Sequence, residues 1–283
     1  HIVTFGIDYY SDRISALTAF SETSRDNIAG YFQWQSRYGP LSAVGSIRHD
    51  NNEAYGGTTN GSIATGYKLS ENLTFSVSYG TAFRAVSFND LFFPNFGNPD
   101  LNPEESETFE ISLRGNHFGL SWRVNAHHTS VDNLNGFDPV SFVAANVSEA
   151  TLQGVELELD YTLGSWFATG NLNYLDARDD TTEEYLDDRA QFAANFELYR
   201  RLGRINVSAS LQSESGRHDR TGTSIKGFVT MGLGGSYRPN RHTRLSARIE
   251  NLWDESFSLN LATATDAYRT YGRTVVISLS VEY

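Results

Sequence analysis

The chain has 283 residues, 39% hydrophobic and 13% aromatic, with no cysteine, one methionine and a formal net charge of −12. The acidic balance leaves no basic stripe for phosphates, which argues against nucleic acid as a partner, and without cysteine there are neither disulfides nor thiolate metal sites. No run approaches the roughly twenty apolar residues of a membrane-spanning helix. A barrel strand, however, spreads its apolar residues over every second position and escapes that criterion.

Taken in chain order, the sequence alternates apolar and polar residues with period two, which is the signature of strands exposing one apolar face. About fourteen such segments are expected. Phe5, Ile7 and Tyr9 mark the first; Ile28, Phe32 and Trp34 the second. Residues 43–48 and 63–69 give two weaker segments, diluted by Gly and Ser. Clear ones resume with Leu73, Phe75, Val77 and Tyr79, then Phe109, Ile111 and Leu113, then Leu120, Trp122 and Val124. Val155, Leu157, Leu159 and Tyr161 follow, and later Phe192, Phe196 and Leu198. The pattern ends at residues 274–283, where Val275, Ile277, Leu279, Val281 and the aromatic terminus Tyr283 share one face.

The connections alternate in length. Short turns are expected at residues 38–41, 69–72, 116–119, 163–166, 202–204 and 239–242. Longer polar connections fall near 14–26, 50–58, 86–105, 130–149, 176–188, 214–224 and 254–270. This is the asymmetry of bacterial outer-membrane barrels, with short periplasmic turns and long extracellular loops. The expected fold is therefore all-β, an antiparallel up-and-down transmembrane β-barrel or a segment of one. A chain already in strand pattern at its first residues is expected to be a piece of a longer protein.

The run Ser78-Tyr79-Gly80-Thr81-Ala82-Phe83-Arg84-Ala85, continuing to Asn98-Pro99-Asp100-Leu101 and Pro103-Glu104-Glu105-Ser106, resembles TonB-dependent outer-membrane receptors. Gln153-Gly154-Val155-Glu156 and Asn251-Leu252-Trp253-Asp254 support the resemblance. The segment Tyr174-Leu175-Asp176-Ala177-Arg178 and the loop order resemble the vitamin B12 (cobalamin) receptor branch. The resemblance implies that residues 1–283 form the C-terminal part of a 22-stranded barrel, with the plug domain, its TonB box and the first strands absent. It further implies energy-coupled uptake of a scarce large nutrient, cobalamin or an iron siderophore, across the outer membrane of a Gram-negative bacterium. TonB would act through the missing plug. No cofactor, metal ligand or catalytic residue is implied, and the chain is not expected to be an enzyme. A passive, porin-like diffusion channel is the alternative, and an adhesion surface without transport is a third reading.

Four residues are candidate ligand contacts. Phe92, Phe93 and Phe96 sit in the long loop 86–105, where aromatics could grip an apolar or corrin-like ligand or simply fold the loop on itself. Arg189, expected to begin a strand, is either a ligand contact or a lumen salt-bridge partner. The acidic run 176–188 could offer oxygen ligands to calcium but lacks the ordered spacing of a calcium loop; a solvated loop is the other reading. Adjacent strand residues point to opposite faces, so His127 and His128 cannot share one metal site. Glu110, Arg114, Arg123, Glu156, Glu158, Asp160, Glu197, Arg244, Arg248 and Glu250 are expected on a polar wall that holds a plug or sets ion preference.

Overall fold

A computed structural model describes residues 1–138, 142–219, 222–263 and 266–282. Fourteen strands make one antiparallel sheet in chain order. The first five are β1 (Ile2–Arg13), β2 (Ser24–Tyr38), β3 (Leu41–Asn52), β4 (Gly56–Ser70) and β5 (Leu73–Arg84). A one-turn helix, α1 (Phe88–Phe92), lies in the next connection. Then come β6 (Glu104–His117), β7 (Leu120–Asp138), β8 (Val143–Leu163), β9 (Trp166–Asp179), β10 (Phe192–Leu202) and β11 (Ile205–Glu214). A ribbon of β12 (Arg217–His218) and β13 (Ser224–Ile225) precedes β14 (Phe228–Asn240) and β15 (Thr243–Glu250). A second ribbon, β16 (Ser258–Thr263) with β17 (Asp266–Arg269), precedes the last strand β18 (Thr274–Val281). The chain falls into two compact units. The first holds residues 1–112, 127–153 and 178–184; the second holds 113–126, 154–177 and 185–283.

Within the first unit the register sorts side chains by face. Val3 pairs with Trp34, Trp34 with Gly45, Gly45 with Ile63 and Ile63 with Tyr79. One residue along, Thr4, Gln33, Ser46, Ser62 and Gly80 line up on the opposite face. The apolar row is the uncovered one: Phe5 and Ile7 are each 79% exposed. The second unit repeats the arrangement. Leu202, Ile205, Tyr237, Leu245 and Leu279 are successive partners on one face, and Arg201, Asn206, Ser236, Ser246 and Ser278 on the other. Only nine apolar side chains are buried among the described residues, and three of them belong to the loop 86–105 and pack with a fourth, Ala144. The sheet therefore has no dry core of its own. Its apolar face is built to meet hydrocarbon, where every backbone N–H and C=O must be paired within the protein.

The six short turns form where the sequence places them, each joining consecutive strands. Gly203, at φ +60°, turns the chain from β10 into β11 in a conformation that L side chains rarely adopt. The strands themselves depart from expectation. The two weak segments are β3 and β4, of 12 and 15 residues, paired along nearly their whole length. Sheet pairing is set by backbone, so Gly and Ser weaken the pattern without breaking the ladder. The connection expected at 50–58 shrinks to residues 53–55, because β3 and β4 run on through it. β7 and β8, of 19 and 21 residues, likewise extend into the region 130–149. About ten residues cross a bilayer, so these strands stand beyond it. Tyr283 lies outside the described residues.

Phe5→Arg should cost about 2–4 kcal/mol of folding free energy in lipid vesicles if the residue sits near mid-bilayer, whereas Thr4→Arg on the polar face should cost far less. Urea titration of the vesicle-inserted protein measures the difference.

Candidate functional site

The loop 86–105 of the first unit is a folded object. The Ser87 hydroxyl accepts from the Asp90 backbone N–H at 3.2 Å and caps α1, in the manner of a helix N-cap. The chain then doubles back: the Gly97 N–H donates to the Phe93 carbonyl at 2.7 Å and the Asn98 N–H to that of Asp90 at 2.7 Å. A Cβ on Gly97 would lie 2.6 Å from the Leu91 carbonyl oxygen, so this close approach admits only glycine. Val86, Leu91 and Leu101 bury themselves together with Ala144 of β8, and Ala54, Phe92 and Phe96 pack against that cluster.

Polar contacts hold the loop in place. Arg25 of β2 donates to the Val86 carbonyl at 2.7 Å and to Asp12 at 3.2 Å, while its guanidinium stacks 4.7 Å over the Phe88 ring. Arg84 ends β5 and grips Glu104, which begins β6, through both carboxylate oxygens, with Nε at 2.6 Å. The same carboxylate accepts the Asn135 N–H at 2.8 Å. Asn98 donates to the Ala144 carbonyl, and Ala144 N–H to that of Phe96. Asn146 closes the loop, accepting the Asn102 N–H and donating to the carbonyls of Asn102 and Asn133. Beside it, buried Asn27, Asp50 and Asn52 are linked in a chain that ends on Arg48 and Asp8.

Phe92 and Phe96 thus lean on the buried cluster. Phe93 is 38% exposed and meets Phe20 edge-on, with ring centroids 5.5 Å apart. Arg189 is exposed and precedes β10, which starts only at Phe192, so it does not begin a strand as expected. In the run 176–188, Asp179 accepts the N–H groups of Thr181 and Thr182, at 2.8 and 2.9 Å. Asp180 accepts the Thr151 hydroxyl at 3.0 Å. At least these two carboxylates are engaged in shaping the loop. Sequence reasoning missed Arg25, Asn146 and the Asn27–Asp50–Asn52 chain. Their one signal is that they are polar residues within or directly beside the expected long connections.

On the polar face, the first unit bonds Ser46 to Ser62 at 2.7 Å and Ser78 to Glu110 at 3.2 Å. The second carries the pairs Arg123–Glu158 at 3.4 Å and Arg248–Glu250 at 2.7 Å, each well exposed. Exposed ion pairs contribute little stability, so these charges remain free to exchange partners. A polar hollow lies among Tyr199, Asn206, Ser236, Arg244 and Ser278. Such a wall suits hydrated or removable contents.

Burial pushes the Tyr55 phenol up to about 12, assisted by Tyr10 and Asp50 and opposed by Arg25. Its folded pKa exceeds the ordinary value near 10. The stabilisation is therefore complete below about pH 10 and is lost as pH rises toward 12.

Residues 1–252 match the family profile described as TonB dependent receptor-like, beta-barrel. A vitamin B12 transporter, BtuB, of Photobacterium profundum is 31% identical over 262 residues, covering 89% of this chain and 43% of that protein. Among solved structures, the copper transporter OprC superimposes with a TM-score of 0.83 at 18% identity, covering 99% of this chain and 53% of the other. The siderophore receptor PirA from Acinetobacter baumannii gives 0.83 at 14% identity, covering 99% and 52%. The chain thus spans about half the length of the proteins it matches.

Glu104→Gln should loosen the loop by about 1–3 kcal/mol, the cost of weakening a buried charged hydrogen-bond set. Gly97→Ala should do the same through backbone collision. Hydrogen exchange across residues 86–105 should rise in both variants while β1–β4 stay protected. Separately, Tyr55→Phe should flatten the fall in stability between about pH 10 and 12, followed by denaturant midpoint against pH.

Proposed function

This chain belongs to the TonB-dependent receptor-like, β-barrel family, and from that premise we propose that it is the C-terminal part of the barrel wall of an outer-membrane receptor. The receptor imports a scarce, large nutrient by energy-coupled transport, with cobalamin the first choice and an iron siderophore the second. The plug domain, its TonB-contacting segment and the first strands of the barrel belong to sequence outside residues 1–283. Cobalamin is preferred because the 31% identical relative is a vitamin B12 transporter; the structural likenesses speak for the fold alone. That family and those relatives are receptors and transporters, with no covalent chemistry to assign.

One observation carries this reading: an apolar face left uncovered on strand after strand, backed by a polar face whose bonds are short-range and exchangeable. A wall of that kind sits in lipid and holds a removable plug by contacts that water can replace. In this proposal ligand meets the outer loops first. Phe93 and Arg189 offer surface to it, whereas Phe92 and Phe96 support the loop from behind. The outer membrane of a Gram-negative cell supplies the bilayer, and TonB supplies the pull.

Uptake of labelled cobalamin by cells carrying the complete receptor tests the proposal. Uptake should depend on TonB and stop when residues 1–283 are deleted. Phe93→Ala should weaken ligand binding about tenfold, as expected for loss of one aromatic contact worth roughly 1.4 kcal/mol; Phe92→Ala should instead raise proteolysis of the loop. TonB-independent uptake, or steady ion conductance by the complete receptor with its plug in place, would establish a passive pore.

A further inference from the structure

Six arginines of the second unit gather at the short-turn end of two neighbouring hairpins. Residues 199–205 and 237–245 hold six arginines and one histidine, with no Asp or Glu. In a chain of net charge −12, that segregation is against the overall balance. Arg204 and Arg241 sit at the tips of the β10–β11 and β14–β15 hairpins, both exposed. The hairpins are neighbours: β11 pairs with β14, and Arg204 donates to the Pro239 carbonyl at 2.8 Å.

Arg200 differs from the others in its direction. By register it faces the apolar side, between Trp166 and Val207. Its guanidinium lies 4.5 Å over the Trp166 ring, and its buried Nε has no hydrogen-bond partner. Among the described residues, no carboxylate pairs with Arg200, Arg204 or Arg241. A cation on a lipid-facing surface is costly at depth and becomes cheap only near the headgroups, where an anion can meet it. Trp and Tyr favour that same level; here Trp166 is the strand partner of Arg200, and Tyr237, the partner of Ile205 two strands over, lies on the same exposed apolar face.

We propose that Arg200, stacked on Trp166, and the hairpin-tip residues Arg204 and Arg241 form a binding surface for the phosphate of anionic glycerophospholipids in the periplasmic leaflet. The inference rests on the membrane-barrel reading given above. A guanidinium presents several donors in one plane and matches a phosphate diester better than an ammonium does. The Trp166 ring holds the Arg200 fork at the surface. Arg204 keeps donors to spare beyond the one given to Pro239. The apolar row Leu202, Ile205 and Leu245 beside them accepts the acyl chains.

The test uses the complete receptor, refolded in phosphatidylcholine vesicles carrying a trace of spin-labelled lipid and read by electron spin resonance as the protein-restricted fraction. Spin-labelled phosphatidylglycerol should be preferred over spin-labelled phosphatidylcholine by about fivefold per participating arginine at low salt, and less as salt screens the charges. Arg200→Gln should remove about fivefold of that preference. Arg204→Gln with Arg241→Gln, both at exposed tips, should remove most of the rest while leaving the Trp166 stack intact and insertion normal. Insertion without any preference, or a preference that survives all three substitutions, would overturn the lipid site and leave the barrel standing. Failure of the complete wild-type receptor to insert into either lipid would overturn the barrel reading and the lipid site with it. Retention of an acidic periplasmic protein in place of lipid selectivity would likewise defeat the proposal.

Discussion

Pairing of the backbone in a sheet with grease on its exposed side is the constraint from which everything else in this protein follows. A soluble sheet hides its apolar face against another layer; this one offers Phe5, Ile7 and Ile277 to the surroundings. Hydrocarbon makes such a face favourable, but it also forbids unpaired N–H and C=O groups. The antiparallel ladder satisfies both demands, with each strand serving as its neighbour's solvent. Gly and Ser can then occupy β3 and β4 at little cost, because the ladder does not depend on their side chains.

What the sequence discloses and what it hides divide along the same line. Alternation is local, so β1, β10 and β18 can be read from their own residues, and so can the six short turns. The ends of β3, β7 and β8 cannot, because strands that continue past the bilayer lose the apolar alternation that lipid imposes. The one-turn helix α1 gave no periodic signal, being only five residues long. Contacts such as Arg25 to the Val86 carbonyl join positions 61 residues apart and have no trace in either neighbourhood. Arg189 was misplaced for a related reason: the polar stretch before Phe192 looks like strand in composition while its backbone is loop.

The most recognisable stretch of the chain turns out to be architectural. Asn98, Leu101 and Glu104 stand out in the sequence, and each is spent on holding the loop together. The loop's own aromatics divide between that framework and the surface. Candidate ligand contacts are therefore harder to read than the fold, since they are the residues on which the framework makes no demand.

That division of labour has an evolutionary corollary. Because Gly97, Arg84–Glu104 and the Leu91 cluster fix the path of the loop from within, the positions around Phe93 can mutate without unravelling it. A loop of this type can present a different outer surface by changing a handful of outward side chains while its interior stays untouched.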